Sequence, residues 1–330
     1  MKRYIIAFLG IYLIFLVGCD WNNCERSVLF TYIYSINIDT SEIVKHCSVF
    51  ADGEPSGWDD YDRYYFSLDR THFLKYNLGS VNKLDFCELE SGDVINSIAT
   101  GNENKRNITL SFSNSGNEIT FAENTVNTAS TNGNSLIEIC DGIHPSFSPN
   151  EEKIVFVDNQ GYLSIYNLVL YQIIQLIFDD DIKYPIYHPN GDKIYYSSNN
   201  GIHVISLEDT LSVNISNGDP SNCSTKFSIS DSGERKVFSS NNFIYAINNQ
   251  DNVIDLETSG KYPHISHDGS RIIYFNAGTD SIYVMNFDGS EKSKLCYTPI
   301  EADNACFSAD DQRVFFLNRK WGMTDAYCDE

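Results

Sequence analysis

Positive charge is what this sequence has least of. Lysine and arginine number 23 against 45 aspartates and glutamates, a formal net charge of -22. A field of that sign repels nucleic-acid phosphates and anionic lipid headgroups, so neither is expected as a partner; cationic partners or divalent ions would suit it better. No C-x-x-C pair occurs among the nine cysteines, so zinc-ribbon and thioredoxin-type sites have no support. No G-x-S-x-G elbow is present to carry a hydrolase serine. Asp179-Asp180-Asp181 lacks the D-x-D-x-D-G spacing of a calcium loop and reads as a solvated turn. Long apolar runs are scarce as well. Residues 4–17 form one, and it is shorter than a comfortable transmembrane helix.

What the chain has is one phrase, repeated. Its clearest copy reads YPHISHDGSRIIYF from Tyr262, followed after a short break by SIYVMNFDGSEKSKL from Ser281. Asp-Gly between apolar runs is a strong hairpin signal, and it occurs twice here, so the unit has four antiparallel strands. Ile272-Ile273-Tyr274-Phe275 is apolar without alternation, as expected of a strand covered on both faces. The first half returns from His144, Tyr184, Lys226 and Asn304, and more loosely from Thr109. Aligning Phe112, Phe147, Tyr187, Ile229, Ile265 and Phe307 gives steps of 35, 40, 42, 36 and 42 residues. Repeats of this period with four strands each imply an all-β fold, a β-propeller of four-stranded antiparallel blades, because one blade cannot bury its own faces.

The phrase Pro145-Ser146-Phe147-Ser148-Pro149-Asn150, and its partner Pro263-His264-Ile265-Ser266-His267-Asp268-Gly269, resembles the WD-like propeller repeat of the TolB family. The resemblance covers most of the chain from about Thr109. It implies a propeller, and for the TolB family a role in binding envelope proteins. Similar blades occur in prolyl-oligopeptidase relatives, oligogalacturonate lyases and bacterial lipoproteins. The repeat elements begin by Tyr32, which leaves no room for the separate N-terminal domain of the TolB family.

The N-terminus has its own signature. A basic start, the apolar residues 4–17 and the ending Leu16-Val17-Gly18-Cys19 resemble a bacterial lipobox. The expected organisation is a signal peptide over residues 1–18, a lipidated Cys19, a tether over residues 19–27 and a propeller over residues 28–330. The chain is then exported and lipid-anchored at the bacterial cell envelope, with inner and outer membrane both open. Lipidation of Cys19 leaves eight cysteines, and an exported chain can form disulfides.

Residues 32–47 match the second half of the clear repeat without gaps: Tyr34 falls on Tyr283, Asp39 on Asp288, Cys47 on Cys296. The N-terminus thus supplies an outer hairpin with no inner one before it. The C-terminus supplies an inner hairpin, residues 304–317, with little chain after it. The two should complete one blade and close the ring. With a divergent blade over residues 63–99 the count is seven, or six if that region is not a full blade.

Two functional classes follow. The first is a non-catalytic propeller that binds a protein or glycan partner, without cofactor, metal or catalytic residues. Counting back three from each aligned position gives Thr109, His144, Tyr184, Lys226, Tyr262 and Asn304 as candidate channel-lining, ligand-binding residues. Their mixture of rings, hydroxyls and charge is common at recognition sites. The alternative is a metal-dependent polysaccharide lyase or another carbohydrate-active propeller enzyme, drawing on His144, His188, His264 and His267. An acidic, aromatic cluster at Trp58, Asp59, Asp60, Tyr61 and Asp62 is a weaker sugar-binding candidate. For the anchor, Cys19→Ser should leave an unprocessed or soluble form; a variant of normal size in the membrane fraction would contradict the lipobox.

Overall fold

The computed structural model describes residues 25–49, 63–67, 72–77, 82–100, 108–132, 135–179, 181–216, 227–298 and 305–325. The signal segment, Cys19, the 58–62 cluster, Lys226 and Asn304 lie outside them. The chain divides into two units. One is Met1–Phe30 with Lys320–Glu330, of which only the strand ends 25–30 and 320–325 are described. The other, Thr31–Arg319, holds the packed core.

No helix occurs among the described residues; every element is a strand. β1 (Glu25–Asn37) and β2 (Ile43–Val49) form a hairpin. β3 (Arg63–Phe66), β4 (His72–Asn77), β5 (Lys83–Glu88) and β6 (Val94–Ala99) form a four-stranded sheet. A seven-stranded sheet follows: β7 (Thr109–Phe112), β8 (Glu118–Ala122), β9 (Thr125–Ser130), β10 (Leu136–Phe147), β11 (Lys153–Asp158), β12 (Tyr162–Asn167) and β13 (Gln172–Phe178). The next four-stranded sheet contains β14 (Lys183–Tyr187), β15 (Lys193–Ser198), β16 (Gly201–Ser206) and β17 (Ser212–Asn214). Another contains β18 (Ser228–Ile229), β19 (Lys236–Ser240), β20 (Phe243–Ile247) and β21 (Val253–Ser259). β22 (Lys261–Ile265), β23 (Arg271–Asn276), β24 (Ser281–Asn286) and β25 (Ser293–Tyr297) make the next. Finally β26 (Cys306–Phe307) and β27 (Arg313–Asp325) join the first hairpin in the order β2-β1-β27-β26.

This is a propeller-like arrangement of four-stranded antiparallel sheets. The N-terminal hairpin completes the C-terminal sheet, as the unmatched half-repeats require. One feature differs from expectation: five sheets are four-stranded, and one has seven strands. The cause is β10. Its residues 136–141 pair with β9 and its residues 142–147 pair with β11, so two four-strand ladders share a strand with no loop between them. Gly142 stands at the handover, where a Cβ would lie 2.7 Å from the Phe156 ring and 2.8 Å from the Val157 carbonyl. No other residue fits there.

Burial explains why the middle strands are apolar without alternation. Each sheet presses one face on the sheet before it and the other on the sheet after it. Ile33, Phe66, Phe73 and Phe315 join the terminal sheet to β3–β6. Leu84, Leu110, Ile119 and Phe121 join β3–β6 to the β7–β10 ladder, and Ala122, Val126, Phe147 and Phe156 join that ladder to the next. Val155, Leu163, Ile194 and Tyr196 continue to β14–β17. Ile202, Phe227, Phe238 and Ile247 reach β18–β21. Val237, Ile244, Ile272 and Met285 reach β22–β25. Ile36, Phe275, Phe307 and Phe316 return to the terminal sheet, and the circuit closes. Fully burying one such side chain is worth about 1.5–3 kcal/mol.

A largely buried contact between two sheets is ionic. Lys236 of β19 is 1% exposed and lies over the Tyr195 ring of β15, with Nζ 4.4 Å from the centroid and 3.0 Å from the hydroxyl. Asp251, in the turn after β20, accepts from Tyr195, from Lys193 Nζ at 2.9 Å and from Lys236 Nζ at 3.4 Å. Burial pushes the Lys236 pKa down, and the Asp251 carboxylate only partly restores it. Burial also opposes ionisation of Asp251, but hydrogen bonds from Tyr195 and Lys193 and the Lys236 charge outweigh it, so its carboxyl titrates below the usual range. Asp251→Asn would strip the buried cation of its main counter-charge, at a cost of about 3 kcal/mol at neutral pH. The sign of the pH dependence follows from Lys236. Its folded pKa is already depressed and falls further without Asp251, so the penalty applies while Lys236 is protonated. It should shrink as pH rises through that lowered value toward the unfolded value of about 10.4. Urea unfolding of parent and variant at neutral and alkaline pH checks this; a loss independent of pH would contradict it.

Candidate functional site

The site is built from the first hairpin of each repeat. In six turns the chain reads Ser113-Asn114-Ser115-Gly116, Ser148-Pro149-Asn150-Glu151, His188-Pro189-Asn190-Gly191, Ser230-Asp231-Ser232-Gly233, Ser266-His267-Asp268-Gly269 and Ser308-Ala309-Asp310-Asp311. The fourth residue donates its N–H to the first residue's carbonyl at 2.8–3.0 Å in every case. It also has positive φ in every case, from 57° at Asp311 to 80° at Gly191. That backbone favours glycine, which explains the Asp-Gly signal. Where a serine opens the turn it is buried, and its Oγ accepts the N–H of the residue five places on, at 3.0 Å in Lys153 and 2.9 Å in both Arg271 and Arg313.

The two turns without glycine use the side chain instead. Glu151 accepts from Ser115 N, and from Ser115 Oγ at 3.0 Å. Asp311 accepts from His267 N at 2.9 Å, from His267 Nδ1 at 2.7 Å and from Asp268 N at 3.0 Å. Both acids therefore tie their own turn to the turn of the preceding sheet. Asn114 Nδ2 reaches Pro149 O at 3.0 Å, Asp231 N reaches His267 O at 3.0 Å, and Arg235 Nη1 reaches Gly269 O at 3.0 Å. These bonds link the first two of the six turns to each other and the last three in series, a partial hydrogen-bonded belt along one rim.

Inside the belt the first strands converge on one cavity of about 340 Å³. Its wall takes Ser111 and Phe112 from β7, His144 and Ser146 from β10, and Tyr184 and Ile186 from β14. Phe227 precedes β18, which adds Ser228; β22 adds His264, and the turns add Asp231 and His267. The strands are not regular there. β10, β14 and β22 each shift register at one point, against β11, β15 and β23. At that point stand His144, Tyr184 and Tyr262, with φ of 55°, 51° and 51°, each followed by a buried proline. A bulky residue held at positive φ costs about 1–3 kcal/mol and persists only where its surroundings dictate it. A bulge re-aims the side chain at that place. The His144 and Tyr184 rings come from neighbouring strands and lie 4.7 Å apart, tilted by 55°.

The sequence-derived channel residues divide accordingly. His144 and Tyr184 line the cavity. Thr109 is absent from the lining: β7 pairs with β8 without a shift, and the end of the strand, Ser111 and Phe112, borders the cavity instead. Its Oγ1 accepts the His144 N–H at 3.2 Å, so it supports the wall from behind. Tyr262 packs between β22–β25 and the terminal sheet, and His264 reaches the cavity in its place. Lys226 and Asn304 lie outside the described residues. Counting from an aligned core position missed Phe227, Asp231 and His264 as lining residues. The Tyr/His-Pro pairs were the available signal for the bulges.

Other clusters do not assemble chemistry. Ser198, His203 and Asp179 meet, but Ser198 Oγ lies 3.1 Å and Asp179 Oδ2 3.6 Å from the same His203 nitrogen, Nε2. A catalytic triad needs them on opposite nitrogens. Burial lowers the His203 pKa, and Asp179 only partly offsets this. Among the described residues no three His, Cys, Asp or Glu side chains are grouped to hold a metal. His188 Nδ1 sits 2.6 Å from Asn190 Oδ1 in its own turn, and Asp181 pairs with Lys183. Cys140 and Cys296 are free thiols, and burial raises their pKa values to about 11 and about 12. Cys24, Cys223 and Cys328 lie outside the described residues.

No protein-family model matches the chain, and no curated protein matches it either. Solved structures do. The β-propeller domain of Cps50 (Swd1) from Myceliophteria thermophila superposes with a TM-score of 0.60 at 11% identity, over 77% of this chain and 95% of that one. A putative TolB from Agrobacterium tumefaciens superposes with a TM-score of 0.51 at 12% identity, over 89% of this chain and 99% of that one. At such identities the likeness is one of fold: the chain is a β-propeller similar to WD-type and TolB-type propellers.

The belt makes an ordering of variants testable. Asp311→Ala loses three hydrogen bonds and keeps a positive φ, and should cost about 2 kcal/mol. Asp311→Gly loses the same bonds but relaxes the backbone, and should cost about 1 kcal/mol less. Thermal or urea unfolding of both would show the order; equal losses would mean that φ at Asp311 carries no strain.

Proposed function

We propose that this chain is an exported, lipid-anchored propeller of seven blades that binds a protein or glycan partner at the cell envelope and performs no reaction of its own. The blade count takes each four-strand ladder of the seven-stranded sheet as a blade sharing β10, with β3–β6 as a full blade. The anchor rests on the lipobox-like sequence ending at Cys19. The observation that carries the binding reading is the cavity. The first strands of five ladders bring rings, hydroxyls, imidazoles and one carboxylate to a single half-buried wall. Three strained residues sit at matching places in those strands. Such a wall offers stacking faces together with neutral donors and acceptors, which suits a hydroxyl-rich or peptide-like ligand. A metal-dependent lyase would need converging histidines, and His188 and His267 are instead held in turn contacts.

The test is the double variant His144→Ala with Tyr184→Ala. It should melt within a few degrees of the parent and lose the parent's partners in capture from solubilised envelope material. A folded double variant that retains every partner moves binding away from the channel, to the peripheral loops.

A further inference from the structure

β13 is the outer strand of the seven-stranded sheet and, among the described residues, its one ladder partner is β12. It reads QIIQLIF, and no charged residue occurs anywhere between Asp158 and Asp179, the longest uncharged run in the chain. Ile173 is 48% exposed, Ile174 54% and Phe178 59%; in the preceding turn Val169 and Leu170 are 62% exposed and Tyr171 78%. Other outer strands are blunted. β21 carries Asp255 and Glu257, β25 carries Lys292-flanked Lys294, β2 carries Lys45, and β17 is three residues long. β6 is uncharged too, but it exposes only two large apolar side chains, Val94 and Ile95. Natural sheets guard long edges with charge, proline or brevity, and β13 has none of these.

We propose that β13 and its preceding turn dock a second copy of this chain, strand against strand and antiparallel, about a two-fold axis. Three features select a second copy over another partner. An antiparallel strand paired with its own copy presents the same residues to itself, so the patch is self-complementary as it stands. The chain carries a charge of -22 and none of it falls on the strand and turn from Asn167 to Phe178, so pairing here brings fewer carboxylates together than a contact elsewhere would, with Asp179 at the end of the strand. The six exposed side chains offer on the order of 700 Å² per copy, close to the roughly 800 Å² per partner of a standard stable interface.

Sedimentation equilibrium of the full chain in density-matched detergent tests this, at protein concentrations up to about 100 μM, beyond the micromolar end for interfaces of this size. The parent should be a dimer. Ile174→Lys, which places a charge in the paired edge, should weaken association by about 100-fold or more with an unchanged melting temperature. Leu170→Lys, in the exposed turn, should weaken it in the same direction and carries the test if Ile174→Lys fails to fold. A parent that stays monomeric, or a dimer that survives in either folded variant, overturns the proposal. So does a monomeric parent that instead floats with neutral phosphatidylcholine vesicles, which would assign the edge to a lipid surface.

Discussion

Every sheet in this molecule depends on having a neighbour on both sides. The middle strands, such as Ile272 to Phe275, bury side chains from both faces, so no sheet owns a complete core. Stability is therefore a property of the circuit. The pairing that closes it joins the two ends of the chain: β27 lies beside β1, and residues more than 270 positions apart, Arg313 and Ser35, are within 3.1 Å. Without that sheet two apolar faces, one of β3–β6 and one of β22–β25, would be left to water.

Polar groups then specify what the apolar ones cannot. Hydrophobic faces would tolerate small slides of one sheet over another. Bonds between three pairs of successive hairpin turns fix parts of the rim, and the Lys236–Tyr195–Asp251 group fixes one interface from within. The cavity wall inherits this rigidity. His144 and Tyr184 can hold left-handed backbones because the strands behind them are pinned at both ends.

The fold was largely legible in the sequence because its cause is periodic. A phrase that returns every 35 to 42 residues marks each first hairpin, and the half-phrases at the two ends anticipated the shared sheet. The divergent region over residues 63–99 does form a four-stranded sheet, as one of the two readings expected. The shared β10 was not, because a glycine between two strands reads as a break, whereas Gly142 is there to let backbone pass close to Phe156. The channel was half legible. Equivalent alignment positions are not equivalent in space: β7 lacks the bulge that brings His144 and Tyr184 to the cavity, and Tyr262, although in such a bulge, packs toward the terminal sheet instead. Lys236 could not be found by pattern. A lysine in a strand reads as solvent-facing, and only the turn from another part of the same sheet, with Asp251, makes its burial possible.

The continuous β10 has a mechanical meaning. Between β13 and β14 four residues separate the two ladders, and between β21 and β22 Gly260 alone does. Between β9 and β11 there is no such slack, since the residue that ends one set of pairings is followed directly by the residue that begins the next. Fraying of the outer edge of the first ladder therefore pulls on the innermost strand of the second, the strand that presents His144. Among the described residues this is where disturbance at the periphery reaches the wall of the central cavity through an unbroken strand.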